Sequence, residues 1–98
     1  MLTSKQRASL RACANKMETI IQVGKDGIND NLIAQTDSAL EARELIKLRV
    51  LETAPLSSRE AAFELAEATN SESVQIIGAR FVLFRRNKDK AKYDYLLK

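Results

Sequence analysis

Thr19-Ile20-Ile21-Gln22-Val23-Gly24-Lys25-Asp26-Gly27-Ile28 decides how this 98-residue chain is read. Its first half is a short β-branched run, which reads as a strand. The Gly-Lys-Asp-Gly tetrad breaks that strand. Asn29 or Asp30 then supplies a side-chain oxygen to cap a helix. The apolar face of that helix holds Leu32, Ile33, Thr36, Ala39 and Leu40. A strand, a sharp turn and a helix begin a crossover connection, and the rest of the chain continues the alternation.

Upstream, Thr3 followed by Gln6 has capping-box spacing. Leu10, Cys13, Ala14 and Met17 then fall on one helical face. Downstream, Leu45 to Leu51 reads as a strand with Ile46, Leu48 and Val50 on one face. Lys47 and Arg49 share the other face with Leu45 and Leu51. Thr53 to Leu56 is a turn around Pro55, and Ser57 with Glu60 forms a second capping box. The helix it opens runs to about Thr69 and ends at Asn70-Ser71. Ser73 to Ile77 and Arg80 to Arg85 are two strands joined by Gly78-Ala79, a tight hairpin signal. The order is helix, strand, helix, strand, helix, strand, strand. Crossovers favour parallel pairing among the first three strands, with the last strand antiparallel to the third. The expected fold is a compact α/β domain over residues 1–87, a small mixed sheet covered by helices. Residues 88–98 are expected to form a basic tail, either a flexible arm that orders on RNA or one whose apolar end docks on the domain or on a partner.

Composition limits the chemistry. Hydrophobic residues make up 45% and charged residues 30%, the balance of a soluble globular chain. No apolar run approaches the roughly 20 residues of a membrane span, and the N-terminus lacks the apolar core of a signal peptide. One cysteine cannot form an internal disulfide, so a cytoplasmic setting is expected. With no histidine and one cysteine, ordinary zinc sites and His-based catalysis are excluded. No cofactor is expected, and the chain reads as a monomer.

The net charge of +3 is unevenly placed. Residues 1–25 carry Lys5, Arg7, Arg11, Lys16 and Lys25 against Glu18 alone. Residues 26–79 carry ten acidic and four basic groups. Residues 80–98 carry seven basic groups, including Arg80, Arg85 and Arg86, against Asp89 and Asp94. If the fold joins the two basic ends, a polyanion is their natural partner; otherwise the lysines are simply solvated.

Within this charge pattern the Gly24–Gly27 tetrad stands at a strand-to-helix junction. Glycine at both ends lets the backbone come close to a ligand. The helix that follows offers unpaired N–H groups and the positive end of its dipole. Lys25 adds a cation at the tip, whereas Asp26 opposes an anion. The tetrad is too short for a triphosphate-binding loop and lacks its Lys-Ser/Thr ending, so a phosphodiester suits it better. A plain strand-to-helix turn explains the same residues.

In order, Thr3-Ser4-Lys5-Gln6-Arg7, Val23-Gly24-Lys25-Asp26-Gly27-Ile28, Glu44 to Val50 and Val74 to Arg85 resemble the bacterial stand-alone CRM-domain proteins of the YhbY type. The likeness runs over about residues 2 to 87. It implies a fold similar to the C-terminal domain of a bacterial translation initiation factor. It implies an RNA-binding protein of ribosome assembly, associated with precursors of the large subunit, whose Gly-x-x-Gly loop meets RNA as in KH domains. That role falls on Gly24, Lys25, Asp26 and Gly27, and the basic strand-end positions fall on Arg80, Arg85 and Arg86. The family often carries a lysine where this chain has Ala79 or Arg80, and a tyrosine near Phe84.

The charge distribution adds Lys5, Arg7 and Arg11 to the expected RNA surface. Lys47 and Arg49 either lie on an open sheet face and touch RNA, or lie under helices with only their charged tips in water. Cys13 is expected in the core, along with at least two of Phe63, Phe81 and Phe84. Three function classes follow: a non-catalytic RNA-binding assembly factor, with ribosomal proteins as further partners; a module that recognises an acidic protein; and an enzyme acting on RNA, for which no Asp/Glu cluster has evident metal-ligand spacing.

Overall fold

The computed structural model describes residues 2–87, Ala91 and Tyr93. The elements are α1 (Ser4–Ala14), β1 (Thr19–Val23), α2 (Asp30–Arg43), β2 (Leu45–Val50), α3 (Ser58–Thr69), β3 (Glu72–Ile77) and β4 (Arg80–Phe84). The expected α-β-α-β-α-β-β order is therefore found.

Local chemistry sets these boundaries. The Thr3 hydroxyl accepts from the Gln6 N–H at 3.1 Å, and the Gln6 side chain accepts from the Thr3 N–H at 2.9 Å. Ser57 and Glu60 repeat the arrangement at the start of α3, at 3.1 and 2.9 Å. Asn29 caps α2 by accepting from the Leu32 N–H at 2.9 Å. Asn70, in the left-handed region at φ 54°, ends α3, a conformation asparagine tolerates better than most residues. Gly78 has φ +57° and Ala79 does not have positive φ, as a two-residue hairpin with glycine first requires.

The strands lie in the order β1-β2-β4-β3. β1 and β2 are parallel, and β4 is antiparallel to both β2 and β3. One expectation is corrected here: the third strand does not pair with the second, because β4 inserts between them. Burial explains the choice. Phe81 to Phe84 are buried in succession, the mark of a strand covered on both faces. In β3 only Val74 is fully buried, so β3 suits the edge.

Helices cover both faces. α2 and α3 pack on one, where Leu40, Ile46, Leu48, Leu65, Phe81 and Leu83 form the main core. α1 packs on the other, where Leu10 and Ala14 meet Leu45, Val74, Val82 and Phe84. Cys13 packs against this second cluster, in keeping with a core role. Tyr93 returns to it as well, its ring edge-on to Phe84 with centroids 6.4 Å apart. The expectation of a basic tail over residues 88–98 otherwise falls outside the described residues. Among the described residues no helix is long and apolar enough to cross a membrane.

Candidate nucleic-acid interface

One end of the sheet gathers the turn and the hairpin. The Leu51 N–H donates to the Val23 carbonyl at 2.9 Å, and the Val50 N–H donates to the Ala79 carbonyl at 2.7 Å. These bonds set the end of β1, the end of β2 and the hairpin in one row. At the usual strand spacing Gln22 and Arg80 lie about 10 Å apart, and the Gly24 turn begins two residues beyond Gln22.

Gly24 to Gly27 is a closed turn: the Gly27 N–H donates to the Gly24 carbonyl at 3.0 Å. Lys25 and Asp26 are exposed at its tip. The two glycines do different work. Gly27 is buried with φ +66°, and a Cβ there would meet Pro55 Cγ at 3.2 Å. The fold itself therefore demands Gly27. Gly24 has ordinary φ, and a Cβ there would meet only Leu51 Cδ1 at 3.9 Å. Nothing in the fold demands glycine at that position. The expected helix N-terminus contributes less than supposed, because Asn29 already satisfies the Leu32 N–H and Asp30 sits in the first turn. An acid there offsets the dipole that would draw an anion.

Beside the turn, the sheet face on the α1 side is open. α1 ends at Ala14 and covers the face from Leu45 and Phe84 as far as Val82, which is level with Lys47. Lys47 of β2 lies at its margin, half-buried, and beyond it Arg49 lies directly opposite Arg80 of β4. Gln22 of β1 is level with Arg49, and Ile77 of β3 is level with Arg80. Asn15, Lys47, Gln75 and Arg80 rim a shallow depression of about 120 Å³ floored by Val82. Arg49 is exposed on this face, whereas Lys47 is half-buried at the margin of the cover that α1 provides. Among the described residues, no hydrogen bond or ion pair engages the side chain of Lys25, Lys47, Arg49 or Arg80.

The other expected contacts lie elsewhere. Arg85 is at the opposite end of β4, and its guanidinium is taken up within the fold. It pairs with Asp37 at 2.6 Å and Glu41 at 3.3 Å, and donates to the Thr69 carbonyl at 2.8 Å. Arg86 is exposed beside it, near Leu2 and Glu72. Lys5 is exposed on the first turn of α1, also at that end. Arg7 donates to the Ser73 carbonyl and lies 3.9 Å from the Glu72 carboxylate. Arg11 is exposed one turn further along α1, facing β3. The structure thus gathers Gly24–Gly27 and Arg80 of the expected set, adds Lys47 and Arg49, and leaves Lys5, Arg85 and Arg86 apart. Of the phenylalanines, Phe81 and Phe84 are core, and Phe63 is 64% exposed on α3.

Fold and surface together define the class: a small α/β domain that presents unpaired cations beside a tight glycine turn. The chain belongs to the CRS1/YhbY (CRM) domain family, whose model matches residues 2–85. It is 43% identical over 94 residues to a Bacillus subtilis protein named "Probable RNA-binding protein YqeI", covering 96% of this chain and 98% of the relative. A Methanocaldococcus jannaschii protein, also named a "probable RNA-binding protein", is 37% identical over 94 residues, covering 94% of this chain and 69% of that one. The solution structure of a Staphylococcus aureus protein, described as "a putative RNA binding protein", superposes with a TM-score of 0.77 at 49% identity. That match covers 90% of this chain and 92% of the other.

Proposed function

We propose that this chain binds RNA without catalysis and acts, as a cytoplasmic monomer, as an assembly factor on precursors of the large ribosomal subunit, in contact with their RNA and with neighbouring ribosomal proteins. The observation that carries the RNA reading is the row of unpaired cations, Lys47, Arg49 and Arg80, beside the exposed Lys25 turn. Phosphates draw binding energy from such cations without regard to base sequence. Gly24 adds a point of close approach, since its missing side chain serves no need of the fold. The names of the relatives favour RNA as the polyanion, and the family resemblance favours the ribosomal precursor.

The test is Gly24→Asp. A side chain fits there sterically, so the variant should fold while placing bulk and negative charge where a phosphate would sit. Co-sedimentation from a low-salt bacterial lysate should put the native chain with large-subunit precursors, in a ribonuclease-sensitive manner, and the variant at the top of the gradient. Normal RNA binding by a folded Gly24→Asp chain would remove the turn from the mechanism. Absence of the native chain from the precursor fractions would remove the ribosomal assignment.

A further inference from the structure

A second surface lies along β3, away from the turn. Among the described residues β3 is the edge of the sheet and pairs only with β4. Alternate N–H and C=O groups of an edge strand face outward. Arg7 covers the Ser73 carbonyl, and from Val74 to Ile77 no other described group takes up the outer edge.

The two helices flanking this edge make unlike walls. On the α1 side stand Arg11 and Arg7, the latter already held by the Ser73 carbonyl and the Glu72 carboxylate, and among the described residues no carboxylate lines the trough there. On the α3 side Ala62, Phe63 and Ala66 line a trough of about 770 Å³ with Ile76 at its floor. Arg59, at the start of α3, lines both troughs; sequence reasoning passes over it. Phe63 is 64% exposed, one of the few large apolar side chains left in water.

We propose that the β3 edge receives an extended segment of a partner protein, added as a fifth strand, in which acidic and apolar residues alternate. Side chains of an added strand point alternately to the two faces of the sheet. Those toward α1 would meet Arg11 and Arg59, so they are acidic. Those toward α3 would meet Phe63 and Ile76, so they are apolar. RNA fits this groove poorly. A phosphodiester backbone offers almost only acceptors, whereas a strand edge presents carbonyls as well as N–H groups. The Glu67 and Glu72 carboxylates also border the apolar side. The inference stands independently of the RNA reading.

The experiment is selection of ten-residue peptides from a random display library on the full chain. Enrichment of alternating acidic and apolar sequences is expected. A selected peptide should shift the amide resonances of Val74 to Ile77. It should bind at least tenfold more weakly to Arg11→Glu and to Phe63→Glu, both substitutions at exposed positions that leave the core intact. Exchanging its acidic residues for lysine should restore binding to an Arg11→Glu/Arg59→Glu chain. The proposal is overturned by selection that enriches nothing or enriches peptides lacking the alternation, by binding that the variants leave unchanged, or by self-association through β3 in sedimentation. A twelve-nucleotide single-stranded RNA that shifts the Arg59 and Phe63 amides would assign the groove to RNA and overturn it too.

Discussion

Arg80 and Arg85 lie five residues apart on one strand and its exit, yet they meet opposite fates. At the turn end, Arg80 stands opposite Arg49, and no carboxylate among the described residues engages it. At the far end, Arg85 is enclosed by Asp37, Glu41 and the Thr69 carbonyl. It joins the last strand to α2 and to the end of α3. Beside it the Asn87 N–H donates to the buried Glu44 carboxylate at 2.8 Å. A cation whose donors are taken up inside the fold contributes to stability. A cation left open beside others of its sign adds little to stability and is available to a polyanion. Charge in a sequence thus divides into structural and binding roles only after the fold has assigned partners.

The sharpest way to break this comparison is to remove charge at each end separately. Replacing Lys47, Arg49 and Arg80 together with alanine should weaken RNA binding at least thirtyfold, about 2 kcal/mol. The log-affinity against log-salt slope should fall by about two units, roughly 0.7 for each phosphate of a single strand that is no longer neutralised. The urea midpoint should stay close to that of the native chain. Arg85→Ala should do the reverse. It strips hydrogen bonds to the Thr69 carbonyl and to two carboxylates that are 56% and 68% exposed, at a cost of about 1 kcal/mol. RNA affinity of the folded fraction should hold. If both variants move the same observable, the division of labour is wrong.

The two glycines of the turn sharpen the comparison on a smaller scale. Gly27→Ala should destabilise by about 1–2 kcal/mol, since an L-residue is strained in the left-handed region and Pro55 must also give way. Gly24→Ala should leave the urea midpoint within about 0.5 kcal/mol of native, as a substitution free of such strain usually does. Equal losses at both positions would mean that Gly24 also serves the fold.

How much of this could be read beforehand depends on whether each feature is local. Both capping boxes, the hairpin and the helix faces are written within a few residues, and the structure contains each of them. The sheet order is not local, because the hairpin sets β4 beside β3 without saying which of them faces β2. The answer was nonetheless encoded in the unbroken Phe81 to Phe84 run, which needs cover on both faces. The fate of Arg85 depends on Asp37 and Glu41, more than forty residues away, and no pattern around Arg85 announces them. Lys47 and Arg49 stood open between two readings. The length of α1 separates them: eleven helical residues span about 16 Å and stop short of the turn end, leaving Arg49 exposed and Lys47 half-buried at the margin.

The finest comparison is between the two capping boxes, which share a geometry and differ in charge. α1 uses Gln6 and α3 uses Glu60. Hydrogen bonds from the Ser57 backbone N–H, and then from its hydroxyl, hold the Glu60 carboxyl below its ordinary 4.5. A carboxyl depressed in the folded state adds stability above its unfolded pKa and loses it as the pH falls through the folded one. Acid should therefore loosen the start of α3 while leaving the Thr3–Gln6 box untouched. Glu60→Gln gives α3 the neutral box of α1, so the difference in unfolding free energy between native and variant isolates this one group. That difference should favour the native chain more at neutral pH than in acid, rising through the carboxylate range and levelling off above it. A difference that is flat across this range would show that the Ser57 contacts form equally well with a protonated side chain. The two boxes would then be alike in energy as well as in shape.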